Sequence, residues 1–232
     1  MGRRRRNPLK PDSPGSAAVY RDGMLVEHAG KSPNVHPSAW VAATATIAGD
    51  VEIGPDSRVL FGAVLTADGG PIRVGCQCVI MENAVLRGTR AHPLRHGGSG
   101  SRGTPRLPTG CTVEDEAFLA TGATVFNGAR IGRRAEVRIN GTVHLKTVLP
   151  DETVVPIGWV AVGDPATILP PQSHDEIWAI LERLDFPKEI FGVDRSPDMM
   201  TEIMIRYTRS LARHAADRDL EAWRQPSEDS PR

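Results

Sequence analysis

Asp68, Glu82 and Arg87 offer two carboxylates and a guanidinium, and His92 and His96 follow five and nine residues past Arg87. A fixed guanidinium can grip an anionic group through two parallel hydrogen bonds, or it can close an intersubunit salt bridge with the carboxylates. Both readings of Arg87 stay open. His92 and His96 stand four apart across Pro93. Two imidazoles can ligate a metal ion, and one can serve as a general base. A loop interrupted by proline gives them no fixed helical face, so solvent-exposed loop histidines are the competing account. His144 follows an aliphatic position and is expected to point outward, toward a surface or an interface. Asn83 either adds an amide to the Asp68, Glu82 and Arg87 group or occupies a left-handed corner. Gly97-Gly98-Ser99-Gly100 lacks the Lys-Ser/Thr ending of a phosphate loop and reads as linker. Cys76, Cys78 and Cys111 form no C-x-x-C pair. They suggest reduced thiols, with Cys78 a small buried side chain.

These side chains hang on a repeat. Val35, Val41, Ile47, Ile53, Val59 and Leu65 are six apart. The beat resumes at Val74, Ile80 and Leu86, then at Val113, Leu119, Val125, Ile131, Val137, Val143, Leu149 and Val155. Four residues after most of them sits a short side chain, among them Ala39, Ala45, Ser57, Ala63, Cys78, Ala84, Ala117, Ala123, Ala129, Ala135, Gly141, Thr147 and Thr153. Neither a helix nor an alternating strand repeats every six residues. A coil with three flat faces does, with one aliphatic side chain inward per face and a small one at each corner. That is the hexapeptide pattern of a parallel β-helix, a solenoid that buries a core by stacking its coils.

The ladder breaks twice. Between Leu65 and Val74 three extra residues must bulge out, at Thr66–Pro71. Between Leu86 and Val113 a longer Gly/Ser-rich excursion leaves the solenoid. Residues 1–18 read as a disordered basic tail, 19–170 as the β-helix with a lead-in strand, 171–224 as C-terminal helices, and 225–232 as a second disordered tail. In the helical part Ile177, Ile180, Leu181 and Leu184 share one face. A second helix is expected to start at Ser196-Pro197, with Ser196 as N-cap. Its stripe would be Met199, Ile203, Ile205 and Leu211, then Leu220 and Trp223.

Charge is balanced, with 28 basic and 28 acidic residues, so no global field favours nucleic acid or an anionic membrane. No apolar run is long enough to span a bilayer, and the arginines of residues 3–6 are not followed by the apolar stretch of a secretory signal. The expected compartment is the cytoplasm.

The stretch from Phe61 to Gly75, FGAVLTADGGPIRVG, resembles the γ-class carbonic anhydrase family. Ile80–Arg87, Thr109-Gly110-Cys111-Thr112-Val113 and Val162-Gly163-Asp164-Pro165-Ala166 are similar to further coils and to the exit turn of that family. The resemblance covers about residues 30–170. It implies a left-handed β-helix, a homotrimer, and a three-histidine zinc site between subunits that activates water for attack on carbon dioxide. Carried over residue by residue, the three zinc histidines fall on Arg87, Thr104 and Thr109. The loop arginine becomes Thr66 and the glutamine Met81, while Asp68 survives and Glu82 keeps a carboxylate. Arginine and threonine are poor zinc ligands. No metal or cofactor is therefore expected, and zinc only if the site is rebuilt from other histidines. Three functions stay open: a carbonic anhydrase-like trimer without zinc that binds a small anion or serves as a scaffold; a coenzyme A-dependent acyltransferase, as many hexapeptide-repeat trimers are, with His92 or His96 as base; or a carbonic anhydrase-like metalloenzyme with a rebuilt histidine site.

Overall fold

An aliphatic side chain every six residues can be buried only if the chain bends between faces. The computed structural model, which describes residues 23–88 and 110–220, has that arrangement. Every ladder residue from Val35 to Val155 is buried, and so is each short-side-chain position except Thr153. Strands stack in parallel one coil apart: Trp40 pairs with Arg58, Phe118 with Glu136, and Glu136 with Val154. Val79–Ile80 pairs with Phe118–Leu119, so the coils resume in register after residues 89–109. Each inward Val, Ile or Leu contributes about 1.5–3 kcal/mol by leaving water, and no coil could bury its residues alone.

Glycine is not the main corner residue. Asp56, Gln77, Asn83, Glu116, Arg134, Asn140, Lys146 and Glu152 all adopt positive φ, between 54° and 60°. The stacked coil supports them. The amide of Asn83 donates to the carbonyl of Phe61, that of Glu116 to Cys76, and that of Arg134 to Asp115. Asn83 is thus a left-handed corner, the second of the two roles its sequence context allowed.

The three-residue excess falls where expected but is built differently. Val64–Val74 runs as one strand, and its pairing with Thr46–Ile53 slips between Gly49 and Val51. The slip pushes Asp68, Gly69 and Gly70 out of the ladder, with Gly69 at φ 104°. Asp68 lies on this bulge yet is only 4% exposed.

Met24–Glu27 is the lead-in strand, pairing in parallel with Thr46–Ile53. After the exit turn, Thr167–Leu169 folds back antiparallel onto Val160–Val162. In helix α1 (His174–Leu181) and the tight turn Glu182–Leu184, Ile177 is buried while Ile180, Leu181 and Leu184 are half-buried.

Helix α2 differs from the expectation in three respects. It spans Met199–Leu211 with Asp198 at its N-cap, because Ser196–Asp198 form a turn in which the Met199 amide bonds the Ser196 carbonyl. Ile205 faces solvent, since Tyr207, not Ile205, lies one turn from the buried Ile203. The helix also stops short of Leu220. After a tight turn at Ala212–Ala216, Arg218–Asp219 forms a short strand antiparallel to Met24–Glu27. The C-terminal arm thereby closes back onto the N-terminal strand. The two terminal tails, the 89–109 excursion with His92, His96, Gly97–Gly103, Thr104 and Thr109, and Trp223 lie outside the described residues.

Candidate functional site

The three sequence candidates that are described do not meet. No hydrogen bond or ion pair links Asp68, Glu82 and Arg87 among the described residues. Glu82 sits on a corner and accepts a hydrogen bond from the Thr121 hydroxyl (3.3 Å). Arg87, half-buried at the end of strand Val85–Arg87, donates from Nη2 to the Tyr207 hydroxyl of α2 (3.3 Å). Arg87 forms no ion pair among the described residues. Below it in the stack is Thr66, and the next coils place Phe126 and His144 on the same face. The Phe126 and His144 rings stack at 5.3 Å. His144 therefore does leave the core outward, but it is half-buried. Burial lowers its pKa, and its Nδ1 is enclosed without a hydrogen-bond partner.

Asp68 belongs to a different group, which sequence reasoning missed. His28, directly after the lead-in strand, is 1% exposed. Its Nε2 lies 3.3 Å from Asp68 Oδ1, and its Nδ1 lies 2.6 Å from Asp217 Oδ1. The other Asp217 oxygen lies 2.8 Å from Nδ1 of His214, whose ring stacks on His28 at 4.3 Å. Arg213 donates from Nη2 to Asp68 (2.8 Å) and is steadied by the Ser210 carbonyl and hydroxyl. Burial would raise the Asp217 pKa, but the hydrogen bonds of His214 and His28 outweigh it and hold the carboxyl below its ordinary value. Two imidazoles, two carboxylates and a guanidinium thus converge where the two ends of the described chain meet. His28 and Asp217 are 189 residues apart, so no local motif announces the pair. The one short-range trace is His214-x-x-Asp217.

Other chemically capable groups are quiet. Burial pushes the Cys78 thiol up to about 11 and the Cys111 thiol up to about 12, so both are inert fillers of the coil interior. A shallow depression lined by Arg73, Glu114, Asp115, Arg133 and Asp151 has much of its charge already paired, Arg73 with Asp50 and Glu52, and Arg133 with Asp151.

No family model matches the chain. It is 32% identical over 165 residues to gamma carbonic anhydrase 1, mitochondrial, of Arabidopsis thaliana, a match covering 68% of this chain and 58% of that relative. It is 30% identical over 142 residues to a probable carbonic anhydrase of Methanocaldococcus jannaschii, covering 61% of this chain and 86% of the relative. The chain belongs to the γ carbonic anhydrase family. A solved hexapeptide transferase family protein from Anaplasma phagocytophilum is 22% identical over 83% of this chain and 95% of its own, at a TM-score of 0.29, too loose a likeness to carry an inference. Within the γ carbonic anhydrase frame, Arg87 stands where the resemblance puts the first zinc histidine. A guanidinium keeps its proton and offers no lone pair, so that position does not fit the family's zinc ion. The other two positions, Thr104 and Thr109, lie outside the described residues.

Proposed function

We propose that this γ carbonic anhydrase relative has given up the family's zinc centre and its hydration of carbon dioxide, and works as a trimer that binds a small anion at Arg87. The observation that carries this reading is the state of Arg87: a half-buried guanidinium held by one neutral hydroxyl, with no carboxylate paired to it among the described residues. Such a group keeps most of its donors for an incoming carboxylate or bicarbonate-like anion. The Tyr207 hydroxyl would fix its orientation, and the Phe126 and His144 pair would supply a low-dielectric wall beside it. Its three unpaired cysteines suit a reducing compartment such as the cytoplasm. No helix among the described residues is long and apolar enough to cross a membrane. The acyltransferase alternative needs His92 or His96 as base, and no described residue favours it.

The test pairs stopped-flow carbon dioxide hydration with bicarbonate titration by calorimetry. The wild type is expected to hydrate no faster than buffer and to bind bicarbonate saturably, with Arg87→Met at least tenfold weaker. Hydration above buffer that disappears in a His92→Ala, His96→Ala double variant would overturn the reading in favour of a rebuilt catalytic centre.

A further inference from the structure

The contacts of His28 fit either a proton or a metal ion between its ring and Asp217. A neutral imidazole carries one N–H. If that proton sits on Nδ1 it bonds Asp217 directly; if it sits on Nε2, facing Asp68, then the Nδ1 lone pair confronts a carboxylate oxygen 2.6 Å away. His214 presents its own Nδ1 to the second oxygen of the same carboxylate. The arrangement is satisfied either by additional protons or by a cation that both nitrogens and Asp217 can share. One nitrogen from each of the two histidines and a carboxylate oxygen lie within 4.8 Å of one another, the only such group among the described residues.

We propose that His28 Nδ1, His214 Nδ1 and Asp217 form a divalent transition-metal site of the zinc class, separate from the family's site and tying the two ends of the chain together. The donor set suits this class, since imidazole and carboxylate are ordinary zinc ligands. An outer contact supports it independently. A metal-bound histidine normally gives its remaining N–H to a carboxylate, which fixes its tautomer and aims its lone pair. Asp68 is placed for that role behind His28, and Arg213 holds Asp68 in turn. Asp68 is thus a positioning residue, not a ligand. Ligand bonds of about 2.0–2.1 Å set about 3.3 Å between neighbouring donor atoms at a tetrahedral ion. The 2.6 Å and 2.8 Å contacts would each have to open by well under an ångström. The part that must move is the C-terminal arm: the Asp217 side chain is 18% exposed and that of His214 35%, whereas His28 is enclosed. With one donor from each residue, the three side chains fill three positions and leave the fourth to water, and the ion clamps the arm onto the lead-in strand.

The experiment uses the full chain, stripped with a chelator and titrated with zinc chloride by calorimetry, with melting temperature followed in parallel and zinc-edge anomalous scattering on crystals. One zinc per chain at micromolar affinity or tighter is expected, with a rise in melting temperature and an anomalous peak between His28, His214 and Asp217. His214→Ala, at a partly exposed position, should fold normally and bind at least tenfold more weakly. Asp68→Asn should weaken binding about 10- to 100-fold without removing a ligand. The Arg87→Met variant should bind zinc as the wild type does, which separates this site from the anion reading above. No saturable binding by the folded wild type, or binding that survives His214→Ala and is lost with His92→Ala and His96→Ala, would overturn the proposal.

Discussion

Arg87, His28 and His144 show how differently single side chains can be read. Arg87 was visible because its neighbours follow a known coil and it breaks the pattern. His28 was not, because its partners Asp68 and Asp217 are 40 and 189 residues away and only the closed fold brings them together. The core positions were the most legible of all. Val125 and Ile131 are fully buried on consecutive faces. An aspartate at either leaves a carboxylate with no partner inside the coil, at a cost of several kcal/mol, about the whole stability of a typical domain. Val125→Asp and Ile131→Asp are therefore expected to be insoluble or unfolded by circular dichroism, and a normally folded variant would show the register to be wrong. His144 gives a pH test. Burial disfavours its charged form, so its folded pKa lies below that of the unfolded chain, near 6.5. The unfolded state then takes up more protons as the medium acidifies. The stability is intact above about pH 6.5 and is lost as the pH falls below it toward the folded pKa. Melting temperatures at pH 8 and pH 5 should fall less for His144→Phe, which keeps the stack on Phe126, than for the wild type. Equal falls would show that His144 is not the buried neutral group described.

At the level of elements, the solenoid was readable and its closure was not. A six-residue period fixes which side chains point inward, and the stacked pairing of Trp40 with Arg58 and Phe118 with Glu136 follows from it. Stacking also explains corners that the sequence could not assign. Glu116 and Arg134 tolerate positive φ because the coil beneath accepts their amide hydrogens. The C-terminal arm resisted reading for the opposite reason. Arg218–Asp219 is two residues long and becomes a strand only by meeting Met24–Glu27, a long-range pairing with no local signature. Helical spacing carried through to Leu220 on paper, but the pairing wins there: the Leu220 amide bonds the Leu25 carbonyl, and its side chain packs on the core. Ending the chain at Leu211 should therefore cost more than a frayed end. It strips Asp217 from His28 and Arg213 from Asp68, leaving two buried polar groups short of partners at about 1–3 kcal/mol each. Urea unfolding of metal-free protein should show a clear drop in midpoint, and an unchanged midpoint would mean that the arm is not clamped.

For the whole molecule the remaining question is what covers the apolar surface. Phe61, Ile139 and Ile157 are all exposed and lie along one edge of the prism, where each corner amide bonds to the coil before it: Gly158 to Ile139, Asn140 to Thr121, Gly122 to Glu82 and Asn83 to Phe61. The helical region adds Trp178, Phe186, Met200, Met204 and Ile205, also exposed. Single exposed apolar residues are ordinary, whereas apolar side chains grouped along one edge are the kind of surface that a protein contact covers. Cyclic assembly solves the problem with one repeated contact, because each copy offers the same edge to the next and the ring closes without a free face. A trimer would cover such surfaces on all three copies at once, and would bring a neighbouring chain near the face that carries Arg87. Light scattering on purified protein is expected to give three times the chain mass at micromolar concentration. Charging the prism edge with Ile139→Glu and Ile157→Glu, both on exposed side chains that the fold itself does not need, should shift the species toward monomer with the circular dichroism unchanged. A wild type that stays monomeric would refute the assembly, and a trimer indifferent to the double variant would move the interface to the helical surface around Met204.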